Sequence, residues 1–214
     1  MPGNAPERRR FVRAGEEARR ESLIAAALDL VAEGGIEAAT VRAIAARAGV
    51  TPGLIRHYFD SKEDLIAAAY RDHMDRMTAE SAAVLDTASD GPAARLACFI
   101  HAALRPPVVD ARALGLWSGF LHRVQADAGM RAVHRATYLA FRDRLQDLIA
   151  AALPGTAPAR LRQLAIAANA VIDGLWLEGS ALPDDFAPDE LPRLGLEAVG
   201  AILGLPLTER META

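Results

Sequence analysis

The chain has 214 residues and a mass of 22.8 kDa, enough for one large domain or a small domain joined to a medium one. Hydrophobic residues make up 51% and charged residues 24%, which excludes a disordered chain and supplies a sizeable core. The net charge is −4, but it is uneven: residues 1–62 hold ten basic and eight acidic side chains (net +2), the remainder fourteen and twenty (net −6). A small basic-leaning part on a larger acidic body fits that split, as does a merely solvated N-terminal arginine cluster.

About a fifth of the residues are alanine and only 5% are aromatic, a balance that favours helices because alanine loses no side-chain entropy on helix formation. A single cysteine, Cys98, excludes an internal disulfide framework and fits a reducing cytoplasm. The longest uncharged stretch, Leu148 to Ala159, is broken by Pro154 and Gly155, so no membrane span is expected. Arg8, Arg9 and Arg10 precede no apolar segment, which argues against a secretory leader.

Residues 1–15 read as a flexible basic arm. From Glu16 to Glu33, Leu23, Ile24, Ala27, Leu28 and Val31 share one helical face, and Gly34-Gly35 stops the helix. Thr40 is placed to cap a second helix of two turns, broken by Gly49. Thr51 is placed to cap a third, with Pro52 in its first turn and an end near Tyr58-Phe59. Ser61 and Asp64 form a variant capping box for a long fourth helix reaching to about Ser89. Further helices are predicted near Ala93–Leu104, Ala111–Gln125, Met130–Leu153, Pro158–Leu182 and Pro188–Leu203, separated by proline and glycine. The fold class is all-α with about nine helices.

Two short helices about a turn at Gly49, behind a longer one, have the spacing of a helix-turn-helix. Spacing alone leaves open two ordinary core helices. As a helix-turn-helix, the third helix presents Thr51, Pro52, Gly53, Arg56, His57 and Tyr58 to a major groove. Arg56 suits a bidentate pair with guanine or a phosphate, and His57 a base or a phosphate. Thr40, Thr51, Tyr58 and Lys62 suit the DNA backbone.

The string A-G-V-T-P-G-L-I-R-H-Y-F-D-S-K-E-D-L-I, Ala48 to Ile66, resembles the DNA-binding signature of the TetR (tetracycline-repressor-like) family, as does I-A-A-A-L-D-L-V-A-E-G-G from Ile24. The resemblance covers about residues 20–70. It implies that Thr40, Thr51, Gly53, His57, Tyr58 and Lys62 contact duplex operator DNA, while Arg56 departs from the pattern, where many members carry tyrosine. It also implies a helix-turn-helix domain over 16–62, a ligand-binding and dimerisation domain over 63–205 and a tail over 206–214. A homodimer follows, because two recognition helices must meet successive major grooves. Leu161, Leu164, Ala165, Ala168, Val171, Ile172 and Leu175 on one helix, and Leu191, Leu194, Ala198, Val199, Ile202 and Leu205 on the last, are candidates for its interface, or equally for intrachain core.

The run Ile172-Asp173-Gly174-Leu175-Trp176-Leu177 is similar to the corresponding helix of choline-responsive TetR-type repressors of glycine-betaine synthesis. A quaternary ammonium effector would be held by aromatic faces with a carboxylate nearby, making Trp117, Phe120, Tyr138, Trp176, Asp173 and Glu178 the candidates. The aromatics are as readily core residues, and Asp173 as readily a cap or ion-pair partner.

An enzyme is not expected, and no catalytic residue, metal site or cofactor is assigned. The five histidines show no zinc-protease spacing, and Gly115-Leu116-Trp117-Ser118-Gly119 has its glycines misplaced for a nucleophile elbow. The alternatives are a TetR-type regulator of efflux or catabolic genes with an unrelated ligand, and a helical protein-interaction module.

Overall fold

A computed structural model describes residues 5–86 and 91–208, with side chains from Gly15 onward. Among the described residues there are nine α-helices, two short 3-10 turns and no strand. They are α1 (Ala5–Ala38), α2 (Val41–Arg47), α3 (Pro52–Tyr58), α4 (Lys62–Ala83), α5 (Pro92–Ala103), α6 (Ala111–Ala126), α7 (Ala128–Ala152), α8 (Pro158–Ala181) and α9 (Glu190–Leu203).

The local signals place most boundaries. Gly34 and Gly35 are non-helical, with φ of 72° at Gly35, so α1 kinks where its regular part was expected to stop. Gly49 has φ of 66°, the left-handed conformation that turns the chain sharply from α2 into α3. Thr40 Oγ1 accepts from the Ala43 amide at 3.2 Å, and Ser61 Oγ accepts from the Asp64 amide at 3.0 Å. The Asp64 carboxylate answers by accepting from the Ser61 hydroxyl at 2.6 Å, not from the Ser61 amide as a regular capping box would have it.

Four expectations need correction. Helix α1 begins at Ala5, where a flexible arm over 1–15 was expected; Pro6 in the first turn removes only an N–H with no helical partner, and the Arg, Glu and Ala residues that follow are good helix formers. Thr51 sits at the N-cap of α3 but its side chain makes no capping bond, and the Leu54 amide, one of the usual capping donors, goes to the Thr51 carbonyl at 3.0 Å. Leu207, in the expected tail, is 1% exposed, since the chain turns back at Gly204 (φ 68°) and returns this side chain to the core. Helix α4 ends at Ala83 and a 3-10 turn follows over Val84–Asp86; the rest of its expected length, to Ser89, lies outside the described residues.

Two apolar cores result. The first joins Leu23, Ala27 and Val31 of α1, Ile44 of α2, Ile55 of α3 and Leu65, Ala69 and Tyr70 of α4, and is completed by Leu116, Phe120 and Val124 of α6 and Met130 of α7. The second gathers α5, α7, α8 and α9 around Phe99, Ile100, Leu145, Ile149, Ile172 and Val199. Helix α4 belongs to both, because its Met77 packs against the second. Ion pairs reinforce the same joints: Arg47 of α2 grips Glu33 of α1 with two bonds of 2.8 and 2.6 Å, and Arg112 of α6 bonds Asp29 of α1.

His73 of α4 is 7% exposed, and its Nε2 has no hydrogen-bond partner. Burial, reinforced by the nearby Arg112 charge, pushes its pKa down to about 4. A depressed pKa adds stability that is complete above the unfolded value near 6.5 and disappears as pH falls through 4. Between those limits the wild type should lose on the order of 3 kcal/mol. Urea midpoints measured against pH test this: His73→Leu should flatten the acid limb, and an unaltered limb would assign the loss to other groups.

Candidate nucleic-acid interface and ligand cavity

Helix α3 is held by Ile55 and Phe59, 2% and 6% exposed, with the Arg20 guanidinium 5.2 Å above the Phe59 ring. That anchoring leaves Thr51, Pro52, Gly53, Arg56 and His57 exposed on one outward surface. Tyr58 is half-buried with its ring edge-on to His57 at 5.2 Å, and Lys62 is half-buried at the start of α4. Thr40 is exposed at the start of α2. All eight residues expected to meet DNA therefore lie on the helix-turn-helix or at its edges. Arg56, His57 and Lys62 make no ion pair among the described residues, and the uncommitted Thr51 hydroxyl lies at the opposite, N-terminal end of α3. Small Pro52 and Gly53 at the helix start permit close backbone approach to a groove floor.

A cavity of about 390 Å³ lies between α4, α6, α7 and α8. Of the expected ligand residues, Trp117, Tyr138, Asp173 and Trp176 line it. Phe120 does not: it is 0% exposed in the first core, its ring 4.7 Å from that of Tyr70. Three residues along α6 rotate the side chain by roughly 60° from Trp117, and α6 lies between the two cores, so that rotation carries Phe120 from one to the other. Glu178 is exposed on α8 and does not line the cavity.

Among the described residues Asp173 is the one acidic residue lining the cavity. Its Oδ2 accepts from the Tyr138 hydroxyl and from Asn169 Nδ2 at 2.7 Å, and the same Asn169 nitrogen lies 2.8 Å from the Tyr138 oxygen. Burial raises the Asp173 pKa, with the two hydrogen bonds opposing it. Burial first, then the bond to Asp173, pushes Tyr138 up to about 12, so it keeps its proton and donates. Trp176 Nε1 donates to the Val108 carbonyl at 2.8 Å, and its ring meets Trp117 edge-on at 5.8 Å.

Several lining residues were not among the named ligand candidates: His134, Met74, Met77 and Phe141. Asn169 was missed too, although its i, i+4 spacing from Asp173 on one helix face was available. His134 Nδ1 lies 2.7 Å from the Tyr70 hydroxyl, and its ring stacks on Tyr138 at 5.5 Å. Burial pushes Tyr70 up to about 12 and lowers His134, which favours the neutral form of both, and the His134 tautomer decides which of the two donates. A line of contacts thus runs from Asp173 to Tyr70 in the first core, by hydrogen bonds at each end and by the Tyr138–His134 ring stack between them.

The expected dimer stripes are largely spent inside the chain. Leu164, Ala165, Ala168, Ile172, Leu191 and Val199 are buried in the second core. Exposed on α8 is a different row, Ile166, Ala170, Gly174, Leu177 and Ala181, at helical spacing, with Arg162 and Glu178 exposed at its two ends.

Comparison with known proteins gives a consistent assignment. Residues 23–69 match the bacterial regulatory proteins of the tetR family, and residues 92–204 match the C-terminal domain of BetI-type transcriptional repressors. The HTH-type transcriptional regulator BetI of Burkholderia thailandensis is 30% identical over 187 residues, 87% of this chain and 94% of that one. A solved transcriptional regulator of Pseudomonas aeruginosa PAO1 superposes with a TM-score of 0.78 at 31% identity, covering 93% and 95% of the two chains. A regulator from Saccharomonospora viridis, crystallised with choline, shares the fold at 21% identity and a TM-score of 0.69, over 85% of this chain and 95% of its own. The chain belongs to the TetR family of DNA-binding transcriptional regulators and carries a BetI-type C-terminal domain.

Proposed function

We propose that this regulator is a ligand-responsive repressor. As a homodimer it binds a palindromic operator through residues 16–62, and it lets go when a quaternary ammonium cation of the choline kind occupies the cavity in residues 63–205. The observation that carries the ligand class is the single carboxylate of Asp173 set among Trp117, Tyr138, Phe141 and Trp176. Aromatic faces attract a cation with no acidic hydrogens to donate, and a carboxylate within the same cavity supplies the counter-charge. The choline-bound Saccharomonospora regulator, of the same fold, supports that reading. The exposed apolar row on α8, with Ile166 and Leu177 between Arg162 and Glu178, supports a second copy as partner, and regulation of bacterial transcription would be carried out in the cytoplasm.

Response requires the effector to bind one arrangement of the helices better than another. Met74, Met77 and Thr78 of α4 line the cavity while Leu65, Ala69 and Tyr70 of the same helix fill the first core, so a shift of α4 would reach α3 directly. Tyr70→Phe removes the hydroxyl bonded to His134 and keeps the ring. Choline should still bind it, yet release less DNA, lowering the ligand-induced change in operator affinity about fivefold or more. Unchanged release from Tyr70→Phe would show that packing alone transmits the signal.

Fluorescence anisotropy on duplex DNA from beside the protein's own gene, against a scrambled duplex, tests the whole reading. Selective binding that survives added salt, and falls with choline, is the expected result. Selective binding indifferent to choline would favour a regulator of efflux or catabolic genes with another ligand. No preference at any salt concentration would favour a protein-interaction module.

A further inference from the structure

The cavity is larger than choline needs, and its polar groups are mostly committed to the protein. At roughly 30 Å³ for each water-sized group, 390 Å³ has room for about thirteen, close to twice the non-hydrogen atoms of choline. Thr78 Oγ1 donates to the Met74 carbonyl at 3.2 Å, Trp176 Nε1 to Val108, and the Tyr138 hydroxyl to Asp173. These groups offer little to a second polar end. Among the described residues no lysine or arginine lines the space, so a buried anionic group there would have no lysine or arginine partner among them. Met74 and Met77 supply the flexible, polarizable surface that adapts to an unbranched chain. The cavity also includes exposed Gly174 and Leu177 of α8, where it opens toward the outside.

Resting on the quaternary ammonium reading above, we propose that the effector is an amphiphilic monocation: a trimethylammonium-type head bearing an apolar extension of up to about nine non-hydrogen atoms and no anionic group. The head neutralises Asp173, and the extension fills the apolar remainder that choline would leave to water. Zwitterions such as glycine betaine are rejected because their carboxylate would be desolvated without a partner.

The test uses the full chain, whose only two tryptophans, Trp117 and Trp176, both line the cavity and report occupancy by their fluorescence. It is titrated with choline, with propyl-, butyl-, pentyl- and hexyltrimethylammonium below their aggregation limits, with glycine betaine, and with the neutral isostere 3,3-dimethyl-1-butanol. Each added methylene should tighten binding about threefold to fourfold, or roughly fiftyfold from propyl to hexyl, while glycine betaine leaves the signal unchanged. Affinity that is flat or falls along the series overturns the proposal, as does glycine betaine binding as tightly as choline. If 3,3-dimethyl-1-butanol binds as tightly as choline, the cation reading itself falls and takes the proposal with it. A rejected isostere with no gain along the series overturns the extended ligand alone.

Discussion

Asp173→Asn should produce a repressor that is more stable than the wild type and nearly blind to choline. The substitution keeps the shape and hydrogen-bonding reach of the side chain, so Tyr138 and Asn169 retain an oxygen to bond. What it removes is the counter-charge of the cavity. Losing one member of a partly desolvated charge pair costs about 2 kcal/mol or more, a drop of at least roughly 30-fold in cation affinity. Operator affinity without ligand should stay within about twofold, since Asp173 lies in the C-terminal body and Arg56, His57 and Lys62 are untouched.

The stability half of this expectation follows from the raised Asp173 pKa. A carboxyl whose pKa rises on folding favours the fold most when protonated, below its unfolded value near 3.8, and loses that contribution as pH rises through the folded value. At neutral pH the fold therefore carries the burden of a buried carboxylate, and the asparagine relieves it. Melting temperatures should show Asp173→Asn above wild type at pH 7, with the gap closing as pH is lowered. A variant that melts lower at pH 7 would mean the Tyr138–Asn169 bonds outweigh burial. One that still responds fully to choline would sink the assigned role of Asp173.

Arg56→Ala or His57→Ala should cost about 1–3 kcal/mol on the cognate operator and relax sequence preference, whereas Lys62→Ala should weaken every duplex alike. The difference comes from position. Arg56 and His57 project from the exposed face of α3, where a side chain reaches base edges. Lys62 starts α4, beside the helix-turn-helix, where a phosphate is the natural partner. Lys62→Ala should also lower the slope of log K against log salt by about one. Equal losses from Arg56→Ala on all operator variants would reduce that residue to a phosphate contact.

The DNA-binding half was legible in the sequence because its signals are local. Thr40, Gly49, Pro52 and Ser61 each act within four residues, and the face of α3 follows once Ile55 and Phe59 are taken as its buried side. The cavity depends on contacts between residues far apart in sequence. Tyr70 meets His134 across 64 residues and Tyr138 meets Asp173 across 35, and no periodicity announces either. Phe120 shows the limit most clearly: its type and neighbourhood suggest a ligand, but the orientation of α6 sends it to the other core. In the sequence, the apolar stripes on α8 and α9 stay open between dimer interface and intrachain core for a related reason. An apolar face marks burial, and both α8 and α9 spend most of that face on their own chain.

Four side chains of the first core, Leu116, Phe120, Val124 and Met130, come from more than forty residues beyond α4's start. The helix-turn-helix is thus not a detachable cassette. A fragment ending at Lys62 would lose these four and Leu65, Ala69 and Tyr70 of α4 from the core around α1, and a chimera placing these N-terminal helices on another regulator's body would need that body's matching helices to present the same four shapes. Recombination among such regulators is constrained at this seam, so specificity for DNA and specificity for effector are inherited together unless the junction is redesigned with them.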